Sequence, residues 1–83
     1  MAEGYVDTLI KEMSKNITTN DRGAAQISGI TSKNAIVSAS ASDTQVMFIP
    51  WIYDGNNWYV TAINWVSWTQ IPNAQYTITV RYI

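Results

Sequence analysis

The chain has 83 residues, of which 13% are charged, 47% hydrophobic and 12% aromatic, with a net charge of −1. It contains neither cysteine nor histidine, which excludes disulfides, thiolate metal sites and the histidine-dependent catalytic triads and dyads. So short a chain makes one domain at most and hides only about 60–65% of its unfolded surface, so oligomerisation is the remaining route to extra stability.

Charge is unevenly spread. From Asn34 to Val80 the only ionised side chains are Asp43 and Asp54, yet that span holds Trp51, Trp58, Trp65 and Trp68. No basic stripe exists, so no nucleic-acid partner is expected. The longest apolar run, Val46 to Ile52, contains a proline and is far shorter than the ~20 residues of a membrane helix, so no membrane insertion is expected. The first residues lack the basic start and apolar stretch of a secretory signal, which implies a soluble protein made in the cytoplasm.

In chain order, residues 3–15 read as a short helix. Val6, Leu9, Ile10, Met13 and Ile17 follow one apolar stripe at helical spacing. Three turns are unstable alone, so the stripe must pack on the chain or on copies of itself. Val6, Leu9 and Met13 fit a heptad seam, and two heptads leave a coiled-coil seed and an ordinary amphipathic helix equally open. Asn20-Asp21-Arg22-Gly23 is a predicted turn, followed by a weak strand over 24–30 that contains Gly29. After a turn at 31–34, Ala35, Val37, Ala39 and Ala41 alternate with Ile36, Ser38, Ser40 and Ser42, as in a strand packed closely on one side.

Residues 45–53 are apolar on both faces, with Met47, Ile49, Trp51 and Tyr53 opposite Val46, Phe48 and Ile52. Such a strand is buried on both sides or meets a partner, and Pro50 argues for a sheet edge or a bulge. Asp54-Gly55-Asn56-Asn57 is a strong hairpin signal before the alternating strand 58–65. Residues 66–74 read as a loop, and in a last strand Tyr76, Ile78, Val80 and Tyr82 face one way and Gln75, Thr77, Thr79 and Arg81 the other. The result is a mainly β fold: a small antiparallel β-sandwich of about five strands preceded by a short N-terminal helix.

The segments Asn34–Ala39, Phe48–Trp51, Asn57–Val60 and Ile78–Ile83, in that order and preceded by Ile17–Ala24, resemble the distal domains of bacteriophage tail-fibre and baseplate proteins. The resemblance covers residues 17–83 and is one of pattern and order. It implies a β-sandwich tip domain, commonly a homotrimer, displayed on a virion and contacting a bacterial surface. Arg81 departs from the pattern, where an aromatic or small residue is usual. Residues 1–16 form a separate helical segment, either trimerisation or fibre stem, and 17–83 the tip domain.

Catalysis finds little support in the residue types. Asp21, Asp43 and Asp54 all fall in predicted turns, where aspartate is an ordinary choice, and a glycosidase needs two carboxylates held across a cleft. Asp54-Gly55-Asn56 begins like a calcium loop, but Trp65 stands where an EF-hand needs glutamate. No catalytic residue, metal or cofactor is therefore assigned. Exposed aromatics with neutral polar neighbours suit carbohydrate, whereas in strands the same rings usually fill a core or an interface. The expected ligand contacts are Tyr53, Asp54, Asn56, Asn57 and Trp68, for a bacterial cell-surface carbohydrate. The expected oligomer contacts are Val6, Leu9, Met13, Met47, Ile49 and Trp51. The alternatives are a purely structural virion module and a monomeric carbohydrate-binding module.

Overall fold

The computed structural model of the chain describes residues 9–53 and 55–83. The elements among them are strands from Lys11 onward: β1 (Lys11–Thr18), β2 (Ala24–Thr31), β3 (Ile36–Ser40), β4 (Val46–Ile52), β5 (Asn57–Asn64), β6 (Thr69–Gln70) and β7 (Gln75–Tyr82). They form two antiparallel sheets, β1-β7-β3 and β2-β5-β4, with the short β6 added beside β5. At the sandwich edges β1 lies near β2 and β3 lies near β4, so the sheets meet along both sides.

Alternation explains the two central strands. In β7, Tyr76, Ile78, Val80 and Tyr82 point inward, and Ile78 and Val80 are completely buried. In β5, Val60 and Ala62 do the same from the opposite sheet. Ile17, Ala25, Ile27, Ile30 and Phe48 complete the core. Phe48 meets Tyr76 edge-on across the sheets, with ring centroids 5.3 Å apart. None of the four tryptophans is in the fully buried set.

The N-terminal helix is corrected over residues 11–15, the last five of the expected helix, which belong to β1, a strand in register with β7 from Lys11↔Tyr82 to Thr18↔Gln75. β1 therefore runs through the expected 16/17 junction, and residues 1–8, including Val6, lie outside the described residues. The reason is tertiary. A three-turn helix gains little by itself, whereas β7 offers a row of backbone donors and acceptors that would otherwise form an open edge. Met13 and Ile17 satisfy a period of two as well as a period of 3.6, and as a strand they put Ile17 in the core with Met13 packed beside it. Lys15 shares that face, and its ammonium reaches out to Ser28 Oγ at 3.4 Å.

Two bulges decide which side chains face in. The β3–β7 register shifts between Ile36 and Ser38, so Ile36 and Ala39 pack against the core and Val37 is half exposed. This corrects the strict alternation expected for 35–42. The β2–β5 register shifts between Gln26 and Thr31, and β2 there contains Gly29 at φ +87. Ile27 and Ile30, three residues apart, are in consequence both buried.

The β1–β2 turn is stapled to the segment before β7. Thr19 is buried, its hydroxyl donating to Ile71 O at 2.8 Å and accepting from Ala74 N at 2.9 Å. Asn20 Oδ1 accepts from the backbone of Arg22 and Ala24, and Asn20 O accepts from Asn73 N at 3.1 Å. Gly23, at φ +80, has its carbonyl bonded by Ala62 N of β5 at 2.8 Å.

Candidate functional site

The hairpin β4–β5 sets Trp51 opposite Tyr59 and Ile49 opposite Thr61. All four side chains are on the face of the sheet turned away from the core, because their neighbours Phe48, Val60 and Ala62 point inward. Trp51 and Tyr59 stack, with centroids 5.0 Å apart and planes 19° from parallel. Tyr53, just past β4, stands nearly perpendicular to both, at 6.1 and 6.0 Å. Trp51 Nε1 donates to Thr61 Oγ1 at 2.8 Å, which fixes the indole over the sheet.

Beside this cluster opens a groove of about 410 Å³ lined by Asn20, Arg22, Ala24, Trp51, Tyr53, Tyr59, Thr61 and Gln70. Ala24 pairs with Thr61, so small side chains lie between the rings and the polar groups. Asn20 and Arg22 come from the stapled turn and Gln70 from β6. The groove is thus aromatic at one side and hydrogen-bonding at the other, and none of its described lining residues is an acid. A smaller concavity of about 270 Å³, lined by Asn16, Ile17, Thr18, Gln75, Tyr76 and Thr77, lies along the β1–β7 pair. Among the described residues no group of three His, Cys, Asp or Glu comes together, and no helix is long and apolar enough to cross a membrane.

No protein-family model, curated protein or solved structure matches the chain. Three clustered rings offer dispersion and C–H contact to an apolar ring face. Amide, hydroxyl and guanidinium groups at the rim supply directional hydrogen bonds to a polar ligand.

The expected ligand residues do not form one site. Tyr53 lines the groove, Asp54 lies outside the described residues, and Asn56 and Asn57 occupy the same hairpin tip without lining the groove. Trp68 is at the other end of β5, separated by an eight-residue strand, roughly 23 Å at the usual rise. Of the expected oligomer residues, Met47, Ile49 and Trp51 share the outer face, with Ile49 41% exposed. Leu9 is exposed, and Met13 packs on the chain's own core. Asn20, Arg22, Ala24, Tyr59, Thr61 and Gln70 were missed by sequence reasoning. Tyr59 and Thr61 could have been found from the hairpin register, whereas Asn20, Arg22 and Gln70 arrive through long-range backbone bonds.

The tryptophans divide by their N–H groups. Trp58 packs against the core and donates to Asn34 O at 3.1 Å; Trp65, half exposed, donates to Thr44 O at 2.7 Å. Trp68 is 73% exposed, and its indole makes no hydrogen bond to a described residue. The expected 66–74 loop is in part a second hairpin, whose turn Trp65–Trp68 closes through Trp68 N to Asn64 O at 2.7 Å. Trp68 has φ +59, a left-handed conformation costing a non-glycine residue about 1–2 kcal/mol. Trp68→Gly is accordingly expected to stabilise the fold by about 1 kcal/mol and to raise the thermal midpoint by roughly 4–8 °C. A lower midpoint in calorimetry would mean that the exposed ring contributes packing instead.

Proposed function

We propose that this protein is a fibre-tip or receptor-binding module of a bacteriophage virion that adheres, without catalysis, to a carbohydrate of the bacterial host surface. The single observation that carries the carbohydrate reading is the groove in which the Trp51–Tyr59–Tyr53 cluster faces Asn20, Arg22 and Gln70. The virion and host assignment rests on the sequence resemblance of residues 17–83. The working form in this proposal is a homotrimer, in which three modest sites on one rigid tip reach useful avidity by acting together. Met47 and Ile49, apolar and turned away from the core, are the residues a neighbouring copy would cover. The exposed Trp68 turn is a second contact region at the far end of the sheet.

The test is binding of fluorescently labelled protein to a glycan array and to a panel of Gram-positive and gut bacteria. Binding that Trp51→Ala weakens by about 2 kcal/mol, on the order of 30-fold, supports the groove. Staining lost in Trp68→Ala and retained in Trp51→Ala would move the receptor site to the β5–β6 turn. Light scattering checks the assembly: a trimer is expected, and a monomer that still binds glycans would make this a free-standing carbohydrate-binding module. The apolar strip of Met47 and Ile49 also favours a purely structural virion module, which predicts a trimer that binds neither array nor cells.

A further inference from the structure

Among the described residues that line the aromatic groove, Arg22 carries the only formal charge. Its neighbour Asp21 does not line the groove, and the Arg22 guanidinium makes no hydrogen bond or ion pair to another described residue. An arginine on an unpinned surface loop would mean little, since exposed charges are usually solvated. This one is on a turn held at several points. Arg22 N donates to Asn20 Oδ1 at 2.8 Å, Gly23 N to Asn20 O at 3.0 Å, and Ala62 N to Gly23 O at 2.8 Å. The backbone that carries the guanidinium is thereby tied to β5, the strand that carries Tyr59 and Thr61.

We infer that the groove selects an acidic sugar, one whose pyranose ring packs on the Trp51–Tyr59–Tyr53 cluster while its carboxylate pairs with Arg22. The inference rests on the carbohydrate reading of the same groove and deepens it. A neutral sugar would use the rings and the amides of Asn20 and Gln70 but would leave an unpaired cation at the rim. A carboxylate presents two oxygens at the spacing of the guanidinium fork, a match that arginine makes better than lysine. No carboxylate among the described lining residues opposes it. Because Arg22 is exposed, the gain is modest and depends on salt.

The experiment compares two carboxylated oligosaccharides, trigalacturonate and a hyaluronan tetrasaccharide, each with its own methyl ester, which keeps the rings and removes the charge. Binding is followed by titration of the Trp51 indole N–H resonance, assigned through Trp51→Phe. The expected result is that at least one acid binds about tenfold tighter than its ester at low salt, and that the margin shrinks at high salt. Arg22→Gln should erase the margin between acid and ester and leave the unfolding midpoint unchanged. Equal affinity of acid and ester for the parent protein would overturn the acidic-sugar inference and leave the carbohydrate reading standing. Failure of every sugar to perturb Trp51 would overturn both. Glycerol phosphate oligomers serve as an anionic control without a pyranose ring. Binding of that control as tight as the acids would also overturn the inference, since Arg22 would then be reading charge alone.

Discussion

Ile78→Ala is expected to lower the unfolding free energy by about 2–5 kcal/mol, the range for removing a large aliphatic side chain from a tight core. Ile78 is completely buried on the middle strand of its sheet, paired with Lys15 on β1, and belongs to the same core cluster as Val80, Val60 and Phe48. A domain of this size has total stability of about 4–12 kcal/mol at the usual per-residue scale, so the loss takes a large share of it. Urea denaturation should show a lower midpoint with an unchanged slope. Met13→Ala gives the contrast. It is only partly buried at the sheet end, and its cost should fall well below that of Ile78. Comparable losses at both positions would mean that the core is centred elsewhere.

Gly23→Ala should do more harm than its size suggests, because two penalties coincide. Its φ of +80 disfavours any side chain, at about 1–3 kcal/mol. A Cβ there would also lie 3.1 Å from Ile71 N and 3.2 Å from Ala62 O, both backbone atoms unable to swing aside. Gly55→Ala has the first penalty without the second, since φ is +78 and nothing lies within 4 Å of the added Cβ. The difference between the two variants, read from their denaturation midpoints, isolates the contact between the β1–β2 turn and β5–β6. Gly23→Ala should further weaken sugar binding, because the same turn carries Asn20 and Arg22 into the groove. Equal destabilisation by the two alanines would show that the turn is not held against β5.

Much of the architecture was legible because it is local. The alternation of Tyr76, Ile78, Val80 and Tyr82, and of Val60 and Ala62 with Tyr59 and Thr61, needs only the two-residue period of a strand. The positive φ of Gly55 fits the hairpin expected from its neighbours. Asn20 and Gly23 likewise occupy a turn, and Asp43 accepts from Gln45 N at 2.9 Å in the manner expected of a turn aspartate. The ambiguous segment was the one whose apolar residues satisfy two periods. Met13 and Ile17 lie on one face of a helix or of a strand, and the presence of an open edge on β7 decided between them. The bulges at Val37 and Gly29 escaped for a related reason, since a bulge is defined by the partner strand.

The aromatic content was visible as composition, but its disposition was not. A count of rings does not distinguish Trp58, anchored against the core, from Trp68, exposed on a strained turn. The candidate site divides in the same way. Tyr53 and Trp51 were singled out along the chain, though Trp51 was expected at an interface, and the hairpin register supplies Tyr59 and Thr61. Arg22 and Gln70 are far apart in sequence and reach the rings only because Gly23 O accepts from Ala62 N while Ile71 N donates to Ala62 O. What the chain determined alone was its strands and turns, since φ preference and side-chain alternation act over a few residues. Tertiary structure decided the identity of β1, the two bulges and the polar rim of the groove, because backbone pairing between distant segments outweighs the small energies of local preference.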